Sequence, residues 1–310
     1  MLVGILYLVF FENIKNIGDM IILSHTKQIY LFIAFMTSIF VKTPIMPFHS
    51  WLYHAHVEAP TAGSCILAGI ILKMGVYFII TIILPYFNYA YIYFANFIII
   101  IAILSTIASG IIAFYQNDIK RIIAYSSISH MGFIIIGLFI PYKTSLNGAI
   151  VGIFSHGIIS TFMFSIAGIL YNIFKTRNIE NINGIKKSLP KLGLLLLIGA
   201  LSMMAFPPLI SFTAEIMIII GLVQKNIVFG SILVFSSVIS CIYALNIYNK
   251  IVLVKSVKTI PKTYDIDYKS HFYLYFIVLS MFVIGIYPNI ILDKIFPITN
   301  NLQKMYKKIR

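Results

Sequence analysis

Polar residues and prolines divide this chain into apolar runs of about 20 residues or more, each long enough as a helix to cross a hydrocarbon layer of roughly 30 Å. The runs lie at 29–53, 64–84, 91–115, 120–140, 146–172, 190–223, 227–254 and 271–292, after a shorter apolar start, MLVGILYLVFF. Of the 310 residues 60% are apolar and 10% charged, and mean hydropathy is +0.97. Soluble domains carry roughly a quarter charged residues. The sequence therefore predicts an all-α polytopic membrane protein with about eight transmembrane helices.

Several function classes drop out on composition. Lys and Arg number 23 against nine acids, for a net charge of +14. In a soluble protein that surplus points to nucleic acid, but here the cations sit mostly between apolar runs, where membrane topology places them; no nucleic-acid partner is expected. Two cysteines, Cys65 and Cys241, cannot supply the four ligands of an iron–sulfur cluster. No GxGxxG or GxxxxGK[ST] occurs, so no phosphate cradle for NADH or ATP is expected. The start lacks the basic region and cleavage site of a signal peptide. The Ile, Asn, Lys, Phe and Tyr bias fits an AT-rich genome such as an organelle's.

Two runs, 29–53 and 190–223, exceed one span, and each contains a proline pair, Pro44 with Pro47 and Pro207 with Pro208. Proline removes a backbone donor and clashes with the preceding turn, so two broken helices are expected. Such breaks survive at membrane depth where protein or water satisfies the freed groups, and in transporters they mark ion sites within inverted repeats. Alternating spans collect the connections 54–63, 116–121, 173–191 and 250–270 on one side. Those hold Lys120, Arg121, Lys175, Arg177, Lys186 and Lys187, with further lysines at 191, 250, 255, 258, 262 and 269. The other side holds only Lys15, Lys27, Lys143 and Lys225 besides the basic tail LQKMYKKIR. The richer side is expected to face the cytoplasm or an organelle's matrix.

The charges left inside the spans carry the chemistry. Lys73 is the only charge in SCILAGIILKMGVYFIITIIL, some ~13 Å deep counting from Ser64 at 1.5 Å per residue. A snorkelling stem of roughly 6 Å does not comfortably reach the surface from there, and a lysine at that depth costs on the order of 3 kcal/mol. Lys42 stands at the first break, where an ordinary helix-end lysine is the alternative. Glu215 is the sole acid of its run, FPPLISFTAEIMII, and either carries a proton or pairs with a nearby base. His130 in SSISHMGF and His156 in GIFSHGII either relay protons or hydrogen-bond between helices. A haem reading fails because no helix carries two histidines about 14 apart. His49, His54 and His56 with Glu58 crowd one stretch, without the spacing of a zinc signature; Glu58 is instead a candidate to balance a lysine.

These residues fall within a recognisable pattern. VKTPIMPFHSWLYHAHVEAPTAGSCILAGIILKMGVY closely resembles the central signature of the subunit 4 family among the antiporter-like subunits of proton-pumping NADH:ubiquinone oxidoreductase, complex I. FYQNDIKRIIAYSSISHMGF resembles its next signature, and SHGIISTFMF, NINGI and FPPLISFTAE extend the similarity to about residue 225.

The resemblance implies a fourteen-helix antiporter-like fold with two inverted five-helix repeats. It implies no redox cofactor in this chain, with NADH, FMN, iron–sulfur clusters and ubiquinone held by partner subunits. Carried over by motif, proton translocation falls to Lys42, Lys73, His130, His156 and Glu215. The implied function is proton translocation coupled to NADH oxidation and quinone reduction elsewhere; a cation/proton antiporter subunit without a redox partner is the alternative. The expected setting is the mitochondrial inner membrane, with a bacterial plasma membrane or plastid thylakoid as alternatives. Residues 1–85 read as a remnant of the first repeat, 86–255 as the second, and 256–310 as a C-terminal helix and basic tail. The family has about five further helices ahead of this stretch, including one whose glutamate partners the lysine aligned with Lys42. A separate polypeptide is expected to supply them, beside other membrane subunits and the lipid bilayer.

Overall fold

The computed structural model describes residues 2–11, 23–182, 184–254, 265–266, 271–296 and 299–300. Helix α1 spans Leu2–Phe11, α2 His25–Lys42 and α3 Ser50–Glu58. Then follow α4 (Thr61–Tyr86), α5 (Asn88–Tyr115), α6 (Ile119–Leu138) and α7 (Lys143–Phe174). Helices α8 (Pro190–Met203) and α9 (Ile210–Lys225) precede α10 (Ile227–Leu253), α11 (Phe272–Ile286) and α12 (Asn289–Phe296). No strand occurs among the described residues, only an isolated bridge between Asp118 and Asn178.

Five of these helices, α4 to α7 and α10, are long and apolar enough to cross a membrane, and α11 with α12 makes a sixth if the pair is one span. The two remaining runs of the sequence correspond to the broken pairs α2–α3 and α8–α9. The run at 271–292 differs from expectation: α11 and α12 meet at 64°, because Pro288 cannot donate to the preceding turn. Lys15, the lysines at 255, 258, 262 and 269, and the basic tail lie outside the described residues.

Both breaks fall at the proline pairs and close in the same way. In the first, Ile45 N–H donates to Phe40 five residues back and Phe48 N–H to Ile45; in the second, Phe206 donates to Leu201 and Leu209 to Phe206. Freed donors find side chains as well: Met46 N–H reaches Ser105 Oγ at 3.0 Å on α5. Irregular backbone at membrane depth is thus satisfied internally.

Helix α6 is the centre of the bundle, with 94% of its apolar window buried. Asp118 starts it by accepting from the backbone N–H groups of Lys120 and Arg121 at 2.8 and 3.2 Å, an N-cap that satisfies otherwise orphaned donors. Helix α7 packs antiparallel along α9, and Gly148 permits a close approach: a Cβ there would stand 2.9 Å from the Ala214 carbonyl oxygen. This pairing brings His156 and Glu215 to one level of the bundle.

The connections assigned to one side do gather at one end. Lys120 Nζ donates to the Ala59 carbonyl at 2.6 Å, Arg177 donates to the Val57 carbonyl, and Ile119 N–H donates to the Arg177 carbonyl. Lys191 Nζ reaches the Ile266 carbonyl at 3.2 Å. Glu58 is exposed; Lys120 and Arg177 beside it donate to backbone carbonyls, and the acid paired with Arg177 is Asp118 at 3.6 Å.

Candidate functional site: a buried row of ionisable groups

Helix α4 is not a regular α-helix. Its hydrogen bonds widen to five-residue spacing over Leu67–Ile71 and again over Ile79–Ile83. In the first widened turn Leu72 N–H bonds to Leu67 rather than to Ala68. That leaves the Ala68 carbonyl, itself fully buried, to accept from Lys73 Nζ. Single π-turns of this kind are rare and cluster at functional positions.

Across the helix interface the Lys73 ammonium lies 2.7 Å from His156 Nδ1 on α7. Both side chains are buried. The approach relies on Gly157, where a Cβ would stand 3.8 Å from Lys73 Nζ and 3.1 Å from the Gly69 carbonyl oxygen. With Nδ1 accepting from the ammonium, the neutral imidazole carries its proton on Nε2.

The row continues on α6 and α9. The His156 and His130 ring centroids are 6.2 Å apart, and His130 Nδ1 lies 3.0 Å from Glu215 Oε1. Tyr243 of α10, fully buried, places its hydroxyl 3.5 Å from His130 Nε2. Between the two histidines lies a cavity of about 30 Å³, lined by His130, Ser155, His156, Ser211 and Glu215 among others. That is room for about one or two waters, since one needs roughly 10–15 Å³ on this measure. His156 Nε2 and Ser211 Oγ are both buried without a hydrogen-bond partner and both belong to residues lining this cavity. Polar groups buried in this way are expected to bind water.

Four of the five residues singled out in the sequence, Lys73, His156, His130 and Glu215, therefore stand in one row. Lys42 does not join them. It is exposed at the end of α2 and makes no hydrogen bond or ion pair among the described residues. The clustered histidines separate too: His54 lies tilted against Tyr53 at 4.2 Å, His49 is tilted toward Tyr125 at 6.1 Å, and His56 stacks on Phe164 at 4.4 Å. No group of three potential metal ligands occurs among the described residues. The sequence reading missed Tyr243, Ser211 and the π-turn ahead of Lys73.

The profile of a family described as NADH:quinone oxidoreductase/Mrp antiporter, transmembrane, matches residues 1–240. The chain belongs to this family. Among relatives in the NADH:quinone oxidoreductase/Mrp antiporter family, it is 33% identical to NADH-ubiquinone oxidoreductase chain 4 of Marchantia polymorpha, over 97% of this chain and 62% of that one. It is 37% identical to NADH-quinone oxidoreductase subunit M of Rickettsia prowazekii (strain Madrid E), over 85% of this chain and 53% of that one. The chain thus spans about half to three-fifths of the length of these relatives. Its fold matches a chain of respiratory complex I from Thermus thermophilus with a TM-score of 0.86 at 24% identity, over 92% of this chain and 60% of that one. It also matches a chain of the Mrp complex from Dietzia sp. DQ12-45-1b with a TM-score of 0.83 at 16% identity, over 98% and 65%. Both likenesses are of the fold, a multi-pass helical bundle.

Proposed function

We propose that this chain is a proton-translocating membrane subunit of a respiratory NADH:ubiquinone oxidoreductase, and that Lys73, His156, His130 and Glu215 carry the protons. The row of four ionisable groups on four helices, buried in an apolar bundle, carries this reading. Holding a lysine at such depth costs on the order of 3 kcal/mol, which bare scaffolding does not repay.

The spacing of the row supports the following order of events. Lys73 hands a proton from Nζ to His156 Nδ1, and His156 releases the proton held on Nε2 into the cavity. Water in that space passes it to the His130–Glu215 pair. A charge change at one end of the row alters the proton affinity of the next group, because interacting sites titrate together. NADH oxidation and quinone reduction in partner subunits, which hold the NADH, FMN, iron–sulfur clusters and ubiquinone, supply that change.

Lys42 belongs to the same mechanism by its place at the first break. Its exposed position supports an acidic partner on a neighbouring membrane subunit, with a separate polypeptide supplying the helices that cover this face. The mitochondrial inner membrane is the proposed setting, supported by the mitochondrial-type name of the Marchantia relative. Residues 1–85 and 86–255 are proposed as parts of the two antiporter-like repeats, supported by the shared hydrogen-bond pattern of the breaks.

A cation/proton antiporter subunit without a redox partner is the second reading, favoured by the likeness to the Mrp complex. Isolation of the native assembly in mild detergent, with NADH:quinone activity and the copurifying polypeptides measured, separates the two. NADH activity is expected; a small assembly without it moves the assignment to the antiporter. Within an active assembly, Lys73→Met is expected to lower the protons pumped per NADH about tenfold or more while assembly persists. Unchanged pumping removes Lys73 from the mechanism.

A further inference from the structure

Among the cations of the basic end, Lys120 stands apart. Arg121, Lys175, Lys186 and Lys187 are exposed, as cations that serve membrane topology are, whereas Lys120 is only 7% exposed. Its ammonium donates to the Ala59 carbonyl at 2.6 Å. Withdrawing a charge from water to hold one carbonyl is costly, and loop charge alone does not account for it.

That carbonyl lies where the chain turns. Helix α3 ends at Glu58 and α4 begins at Thr61, so Ala59 and Pro60 are the whole connection. The last carbonyls of a helix have no partner within it, and at the end of α3 other elements supply partners. Ser64 Oγ of α4 reaches the His56 carbonyl at 3.2 Å, Arg177 holds that of Val57, and Lys120 holds that of Ala59. A cation at this point also meets the negative end of the α3 dipole. Lys120 is the second residue of α6, and α3 lies against α6 with Tyr53 stacked on Tyr125 at 5.3 Å. The start of α4 is thereby tied to α6.

The register of α4 against α7 depends on where α4 starts. Thr61 fills the space at Gly168, where a Cβ would stand 2.5 Å from it, and Thr161 faces Gly69, where a Cβ would stand 2.8 Å from the threonine oxygen. Between these, Cys65 Sγ lies 3.6 Å from Ser165 Oγ. Lys73 and His156 continue the same antiparallel register at 2.7 Å. Proton transfer asks for heavy atoms within about 2.6–3.2 Å, which leaves little room for a slip of one residue along α4, about 1.5 Å.

We infer that Lys120 is a positioning residue for proton transfer: by holding the Ala59 carbonyl it fixes the axial register of α4 against α7, and with it the contact between Lys73 and His156. This rests on the proposed role of Lys73. Lys120 carries no proton itself, since the carbonyl it binds has none to exchange.

The test uses the intact assembly in sealed vesicles, with protons pumped per NADH and the register of α4 recorded separately. For the register, Ser165→Cys gives the native Cys65 a partner, and the yield of the disulfide between the two thiols under an added oxidant reads how well they face each other. Lys120→Met keeps the stem and removes the donor; Lys120→Arg keeps a cationic donor. Lys120→Met is expected to lower protons pumped per NADH about tenfold or more, as an ångström-scale misplacement does, and to lower the disulfide yield of the assembled protein severalfold. Lys120→Arg restores both. Normal pumping in Lys120→Met overturns the inference, as does lowered pumping with an undiminished disulfide yield, or a Lys120→Arg variant that pumps no better than Lys120→Met. If Lys120→Met does not assemble, Lys120→Gln, an uncharged donor one atom shorter, decides by the same two readouts; if neither assembles, Lys120 is structural and the inference is wrong. Lys73→Met in the same preparation separates the two levels. Normal pumping there defeats the proposed role of the row, whereas its loss beside normal pumping in Lys120→Met defeats only the role of Lys120.

Discussion

Glu215 shows what a single buried acid can be asked to do. Its side chain is 8% exposed and 3.0 Å from His130. Glu215→Gln preserves size and one acceptor oxygen but cannot take up or release a proton, so structure and titration part company. Pumping per NADH is expected to fall about tenfold or more with assembly intact; an unchanged ratio in sealed vesicles would leave Glu215 a structural partner of His130. Tyr243 is the contrasting case. At 3.5 Å its hydroxyl is at the outer limit of a hydrogen bond, and a net contribution of about 0.5–1.5 kcal/mol bounds what Tyr243→Phe can change. A decrease of no more than about tenfold is expected, and complete loss of pumping would make the phenol a member of the row. At this scale the sequence was readable where a charge interrupts an apolar run, as at Lys73 and Glu215. It was not readable at Tyr243 and Ser211, because a tyrosine or serine in a membrane helix is unremarkable until its neighbours are known. Lys42 has the right residue type, yet its exposure depends on which helices stand beside α2, and that is not encoded locally.

Helices and breaks were legible to the extent that one residue dictates them. The proline pairs located both broken helices, whereas the cap that Asp118 gives to the start of α6 was not read from the sequence. The π-turn at Leu67–Ile71 left no mark in the sequence, since LAGII is compatible with either helix type. The bend at Pro288 was passed over because the run on either side stays apolar. What aligns the row is the packing of α7 on α9, and Gly148 controls it. A methyl group there meets the Met217 side chain at 2.8 Å and the Ala214 carbonyl oxygen at 2.9 Å. Gly148→Ala therefore forces the two helices apart, at about 1–3 kcal/mol for such overpacking. Lower thermal stability of the solubilised assembly is expected, with a loss of pumping larger than the loss of assembled protein, because His156 and Glu215 ride on the separated helices. Equal losses in the two would show that their spacing does not limit transfer.

Across the whole molecule, charge sets direction. Lys120, Arg177 and Lys191 come together at one end, where α3, α6, α7 and α8 begin or finish. The opposite end holds the start of α7 and the finish of α9, with Ser145 against Gly221. Cationic loops are retained on the cytoplasmic or matrix side, so the end that carries Lys120, Arg177 and Lys191 is expected to face it. Cysteines introduced at Lys187, in the basic end, and at Gln224, near the end of α9, test this directly. Both positions are exposed, whereas the native Cys65 and Cys241 are partly buried within spans. A membrane-impermeant maleimide applied to right-side-out vesicles is expected to label Lys187→Cys only after the membrane is opened, and Gln224→Cys without opening. The reverse pattern would turn the bundle over in the membrane.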